Sequence, residues 1–141
     1  MTSVACQERL LLIEPDEDVG IVLKARLEAA GYDVHVERFG SAALSRAAGE
    51  LMDLVILDVQ LSDLNGYEVC QELRKLCAPS EGSDVTVPIL AFTALDGPVD
   101  EIYALASGAD AYLPCRGEDR ALLGIVDQLL HQPDLAPCSR V

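Results

Sequence analysis

Short unbroken aliphatic runs alternate with longer segments of helical period along nearly the whole chain, and this alternation limits the fold more than any other feature. The runs 10–13, 34–36, 54–57, 87–92 and 111–113 are too short for helices and rich in Val, Ile and Leu, as strands buried on both faces are. Between them, Val19, Val22, Leu23, Leu27 and Ala30 share a helical stripe that Gly31 ends as a left-handed terminator. Ser41 is placed to N-cap an Ala-rich second helix over 41–48. Val69, Cys70, Leu73, Leu76 and Cys77 form a third stripe, with Pro79 just beyond it. A fourth helix, 98–107, carries Val99, Ile102, Tyr103 and Ala106 and ends at Gly108; a fifth, 118–130, carries Leu122, Ile125, Val126 and Leu129. The expected fold class is therefore α/β, a doubly wound (βα)5 unit with a five-stranded parallel sheet and helices on both faces. In such a sheet ligands bind beyond the carboxyl ends of the strands, which directs attention to the loops after strands one, three, four and five.

The length of 141 residues suits one domain, and 50% hydrophobic residues with only 4% aromatic ones predict an aliphatic core. We expect an N-terminal extension over 1–8, the folded domain over 9–130 and a flexible tail over 131–141, with the longest loop at 77–86. A net charge of -14 repels nucleic-acid backbones and anionic membrane surfaces, so neither is an expected partner. The cysteines Cys6, Cys70, Cys77, Cys115 and Cys138 show no paired metal-ligand spacing, which points to small buried hydrophobes in a reducing cytoplasm. The apolar stretch near the start is too short for export or membrane spanning.

Carboxylates gather at one expected edge. Asp58 ends the strand LVIL, and Glu14, Asp16, Glu17 and Asp18 follow the strand LLLI. Glu17 and Asp18 are explained by the first turn of helix one, where negative charge is favourable. Asp58 is harder to explain structurally, because a carboxylate at the end of a buried strand and beside like charges needs a hydrogen bond or a cation. Oxygen-coordinated Mg2+ is the natural candidate.

Residues 9–130 resemble the receiver domain of two-component response regulators. The resemblance rests on LLLIEPDED, LEAAGYDV, DLVILDVQLSDLNGYEV, PILAFTA and SGADAYLP, in that order. It implies a flavodoxin-like sheet of order 2-1-3-4-5 and a phosphoacceptor at Asp58, which would take a phosphoryl group from a sensor histidine kinase or phosphotransfer protein. It implies Mg2+ held by Glu14, Asp16, Asp58 and the Gln60 backbone carbonyl, and a switch formed by Thr93 and Tyr112. The switch would signal through the face of helix four, strand five and helix five to a downstream protein or to a second copy of the chain. Asn65 and Gly66 read as a turn before helix three, with no chemistry assigned.

Two positions depart from the family pattern. Pro15 stands where the second strand-one carboxylate is usual, and it offers no side-chain ligand. Cys115 stands where a lysine usually pairs with the phosphoryl group, and Arg116 carries the positive charge one residue further on, where side chains of an extended chain point apart. The expected function is a single-domain receiver in phosphorelay signalling, not an enzyme beyond self-catalysed phosphoryl transfer and autodephosphorylation at Asp58. Alternatives are a pseudo-receiver that docks without phosphate and, in another class, an aspartyl-nucleophile phosphohydrolase. The latter usually places a second Asp where this sequence has Gln60.

Overall fold

A computed structural model describes residues 7–76, 87–93, 98–114 and 120–131. The chain runs β1 (Arg9–Ile13), α1 (Glu17–Ala29), β2 (Asp33–Glu37), α2 (Gly40–Gly49), β3 (Leu54–Leu57), α3 (Gly66–Leu76), β4 (Ile89–Thr93), α4 (Pro98–Ala106), β5 (Ala111–Pro114) and α5 (Arg120–His131). All strand pairs are parallel, and the sheet order is β2-β1-β3-β4-β5. This is the expected (βα)5 arrangement. The central strands β1, β3 and β4 are almost wholly buried, because side chains on both faces are covered by helices.

Two apolar layers result. Leu10, Leu12, Leu54, Ile56, Leu90 and Phe92 pack with α1 and α5 on one face. Leu11, Ile13, Val55, Leu57, Ile89 and Ala91 pack with α2, α3 and α4 on the other. Each fully buried Leu or Ile contributes roughly 1.5–3 kcal/mol of transfer free energy, and the alternation of these side chains along each strand is what divides them between the layers. Cys70 belongs to the second layer as a free thiol, and burial pushes it up to about 11, as an inert hydrophobe requires. The other cysteines lie outside the described residues, as do the expected loop 77–86 and most of the tail.

Several local expectations are corrected. Val22 and Ala30 are exposed, and α1 instead buries Gly20, Leu23 and Leu27. Leu76 is exposed at the end of α3. Val99, Ile102 and Tyr103 are exposed on α4, whose buried contact is Ala104. In each case an apolar residue flanks the narrower strip that actually meets the sheet. Strand four begins at Ile89, since Pro88 has no amide to donate and only its carbonyl accepts, from Val55 N at 3.0 Å. Ser41 does not cap α2; it is the second helical residue, after Gly40. Gly31 and Gly108 adopt φ of 104° and 115°, the left-handed geometry expected just beyond α1 and α4.

Candidate functional site

Parallel pairing brings the ends of β1 and β3 side by side, with Ile13 opposite Leu57. The next residues, Glu14 and Asp58, therefore leave the sheet together at its carboxyl edge. The Asp58 amide donates to the Ile13 carbonyl at 2.9 Å, and the Glu14 amide donates to the Glu37 carbonyl at 3.0 Å. Glu14 is 5% exposed and Thr93, at the end of β4, is 1% exposed; they are the buried polar side chains among the described residues. Glu14 and Thr93 both hydrogen-bond the Asp58 carboxyl, and the Gln60 amide donates to Asp58 Oδ1 at 2.9 Å.

Burial pushes the Glu14 carboxyl up to about 7, aided by the negative charges of Asp58 and Asp16 and opposed by the Asp16 amide, which donates to Glu14 Oε2 at 3.1 Å. Burial also raises Asp58, against the hydrogen bonds from Gln60, Thr93 and Glu14. Two like charges in a dry site disfavour ionisation of both, so the pair takes up a proton more readily than separate carboxyls would.

The remaining expected residues separate. Asp16, expected as a ligand, turns its Oδ1 to the Val19 amide at 3.1 Å and caps α1. Its free charge still lies close enough to act on Glu14. Tyr112 is half-buried on β5, opposite Ala91, and packs on the α3 and α4 layer. Cys115 and Arg116 lie outside the described residues. Pro15 contributes its carbonyl to a hydrogen bond from Arg38 Nε at 3.2 Å.

Residues 10–127 match the family model described as the response regulator receiver domain. The chain belongs to that family. The receiver is 33% identical over 129 residues to the alkaline phosphatase synthesis transcriptional regulatory protein PhoP of Bacillus subtilis, which covers 92% of the chain and 51% of that protein. It is 37% identical over 133 residues to the response regulator MprA of a Mycobacterium species, 93% of the chain and 55% of that protein. The chain spans about half the length of these curated relatives. Among solved structures, a two-component response regulator from Clostridium difficile superposes with a TM-score of 0.80 at 26% identity, covering 91% of the receiver and 99% of that chain. The BeF3-activated N-terminal receiver domain of Klebsiella pneumoniae RstA superposes at 0.77 with 30% identity, over 89% of the receiver and all of that domain.

Receiver domains bind Mg2+ at their phosphorylation site. Among the described residues no three His, Cys, Asp or Glu side chains form a ready cage, yet the donors fit the ion. Mg2+ is held through one or two carboxylates and keeps much of its water, and Glu14 and Asp58 present two adjoining carboxyls at the ends of β1 and β3.

Two residues without assigned chemistry shape the site. Asn65 Oδ1 accepts from the Tyr67 amide at 2.8 Å and starts α3. Gly66 lies so close to Val59, the residue after Asp58, that a Cβ there would stand 2.1 Å from the Val59 carbonyl oxygen. The turn was legible from the Asn-Gly pair; the close approach was not, since it involves a backbone that the local sequence does not identify.

Proposed function

We propose that this receiver accepts a phosphoryl group at Asp58 from a phosphohistidine on a kinase or phosphotransfer partner, in the cytoplasm, and signals by protein contact. The observation that carries the reading is Asp58 at the end of β3, its carboxyl beside Glu14 and hydrogen-bonded by Glu14, Thr93 and the Gln60 amide. An Asp58 oxygen attacks phosphorus, an O–P bond forms, the P–N bond to histidine breaks, and the imidazole leaves with the electron pair and takes up a proton. Gln60 N–H orients the nucleophile, and the Thr93 hydroxyl is placed to follow the transferred group. Glu14, Asp58 and the Gln60 carbonyl would hold Mg2+, whose charge gathers the phosphoryl oxygens when bound. Pro15 offers no side-chain ligand, and Asp16, whose Oδ1 accepts from the Val19 amide, keeps its other carboxylate oxygen for the ion.

Thr93 and Tyr112 lie on adjacent strands, with Thr93 two residues beyond the partner of Tyr112. Movement of the Thr93 hydroxyl towards a phosphoryl group would alter packing near Tyr112 and thence the α4, β5 and α5 face. The exposed Val99, Ile102 and Tyr103 give α4 an apolar surface for a protein partner or a second copy, with the Tyr103 ring beside Tyr67 of α3.

Intact-protein mass after incubation with Mg2+ and acetyl phosphate tests the proposal. The expected result is one phosphoryl adduct that requires Mg2+ and is lost in Asp58→Asn. Pro15 in place of the second strand-one carboxylate favours a second reading, docking without phosphate. That reading gains the ground if no adduct forms and calorimetry shows no Mg2+ binding.

A further inference from the structure

Both loops that carry the acidic pair are fastened to one short stretch, the junction of β2 and α2 at residues 37–41. From the β1–α1 loop, Glu14 N–H donates to the Glu37 carbonyl at 3.0 Å and the Pro15 carbonyl accepts from Arg38 Nε at 3.2 Å. From the β3–α3 loop, Asp63 Oδ1 accepts from the Gly40 amide at 2.8 Å, and its Oδ2 accepts from the Ser41 amide at 3.1 Å and the Ser41 hydroxyl at 2.9 Å. Phe39, the N-cap of α2, supplies no side-chain cap, so Asp63 caps this helix from 22 to 23 residues away. Leu61 and Leu64 of the same loop close over Gly40, where a Cβ would lie 3.2 and 3.3 Å from their methyls and 2.9 Å from Val69.

We infer that this junction is the common anchor that sets the spacing of the two acidic loops, with Asp63 and Arg38 as its positioning residues. The inference deepens the function proposed above, because spacing is what shapes a site that lacks a second strand-one carboxylate at Pro15. The Gln60 carbonyl lies three residues from Asp63 in the same short loop. Hydrogen bonds led by that from the Ser41 amide hold the Asp63 carboxyl below its usual range, so the clamp stays ionised wherever the receiver is folded near neutral pH.

The test measures metal-free amide hydrogen exchange and, separately, Mg2+ affinity by calorimetry, on the whole chain carrying Asp63→Ala or Asp63→Asn. Asp63→Ala is expected to speed exchange across 59–64 and at Gly40 and Ser41 while α5 keeps its protection. It should weaken Mg2+ about tenfold, the lower end of what loss of an outer positioning partner costs. Asp63→Asn keeps an oxygen for the Gly40 amide and should recover part of both effects, and Arg38→Ala should loosen residues 14–16 instead. Leu129→Ala, a core truncation in α5, serves as a control that lowers the melting temperature without changing Mg2+ affinity. Unchanged exchange across 59–64 in Asp63→Ala, or an Mg2+ loss no greater than in Leu129→Ala at equal destabilisation, would overturn the anchor. If the unaltered chain binds no Mg2+, the proposed function fails, and the exchange data alone decide the anchor.

Discussion

Glu14 is the residue whose chemistry departs most from what its position in the chain suggests. In the sequence it is one acid among several, whereas in the fold it is buried against Asp58 and titrates near 7. The native state therefore binds more protons than the unfolded chain between the ordinary 4.5 and about 7, and stability falls as pH rises through that window. The loss amounts to roughly 2 kcal/mol after allowing for the coupling to Asp58. A glutamine amide can donate to Asp58 at any pH, so Glu14→Gln should flatten this slope and stabilise the protein by about 1–2 kcal/mol near pH 8. Urea unfolding across the window would show it, and a variant with the original slope would place the proton elsewhere. That Asp58 sits at a strand end was legible, because a lone carboxylate after LVIL breaks an aliphatic pattern. That Asp16 would cap α1 through Oδ1 was less so, since an acid just after a strand reads equally as a cap or as a ligand.

Among the elements, α3 is fixed at both ends by contacts outside the helix. At its start Gly66 abuts Val59, and Gly66→Ala should destabilise the domain by about 3 kcal/mol through overpacking and displace Asp58. Thermal unfolding would read the first effect, and slower phosphoryl uptake from acetyl phosphate the second; a variant with normal melting and uptake would refute the contact. At its end Arg74 donates to the carbonyls of Val87, at 2.9 Å, and Gly108, at 2.7 Å, and pairs with Asp110. Asp110 in turn accepts from the Ile89 amide at 2.8 Å, so one guanidinium fork joins α3 to the entries of β4 and β5. Arg74→Met keeps the stem but orphans these acceptors, and a loss of about 2–3 kcal/mol in chemical denaturation is expected, with the Mg2+ affinity unchanged. The helix itself was visible in the sequence from Val69, Cys70 and Leu73, whereas its tethers involve partners 13 to 36 residues away.

For the whole molecule, charge and titration act in the same direction. His131 places Nδ1 2.7 Å from Asp127 and Nε2 2.6 Å from Glu8, a geometry in which both ring nitrogens donate only when the imidazole is protonated. Those carboxylates, Asp127 first, raise its pKa, so its contribution is complete below 6.5 and is lost as pH rises through the raised value. The site is largely exposed, which limits that contribution to less than about 1 kcal/mol. Together with Glu14 and a net charge of -14, this predicts a higher melting temperature near pH 6 than near pH 8. It also predicts a gain on adding salt near pH 8, through screening of the self-repulsion. Calorimetry that shows neither dependence would refute this balance. The amino-acid sequence alone determined the strand positions, the βα order and the acidic end of β3, because period and hydrophobicity are local properties that survive without knowledge of neighbours. Tertiary structure decided that Glu14 shares its proton with Asp58, that Asp63 caps α2, that Gly66 has no room for a side chain and that α4 leaves Ile102 and Tyr103 in solvent. Each of these depends on which elements lie side by side once the sheet is wound, and on distances that no single stretch of chain encodes.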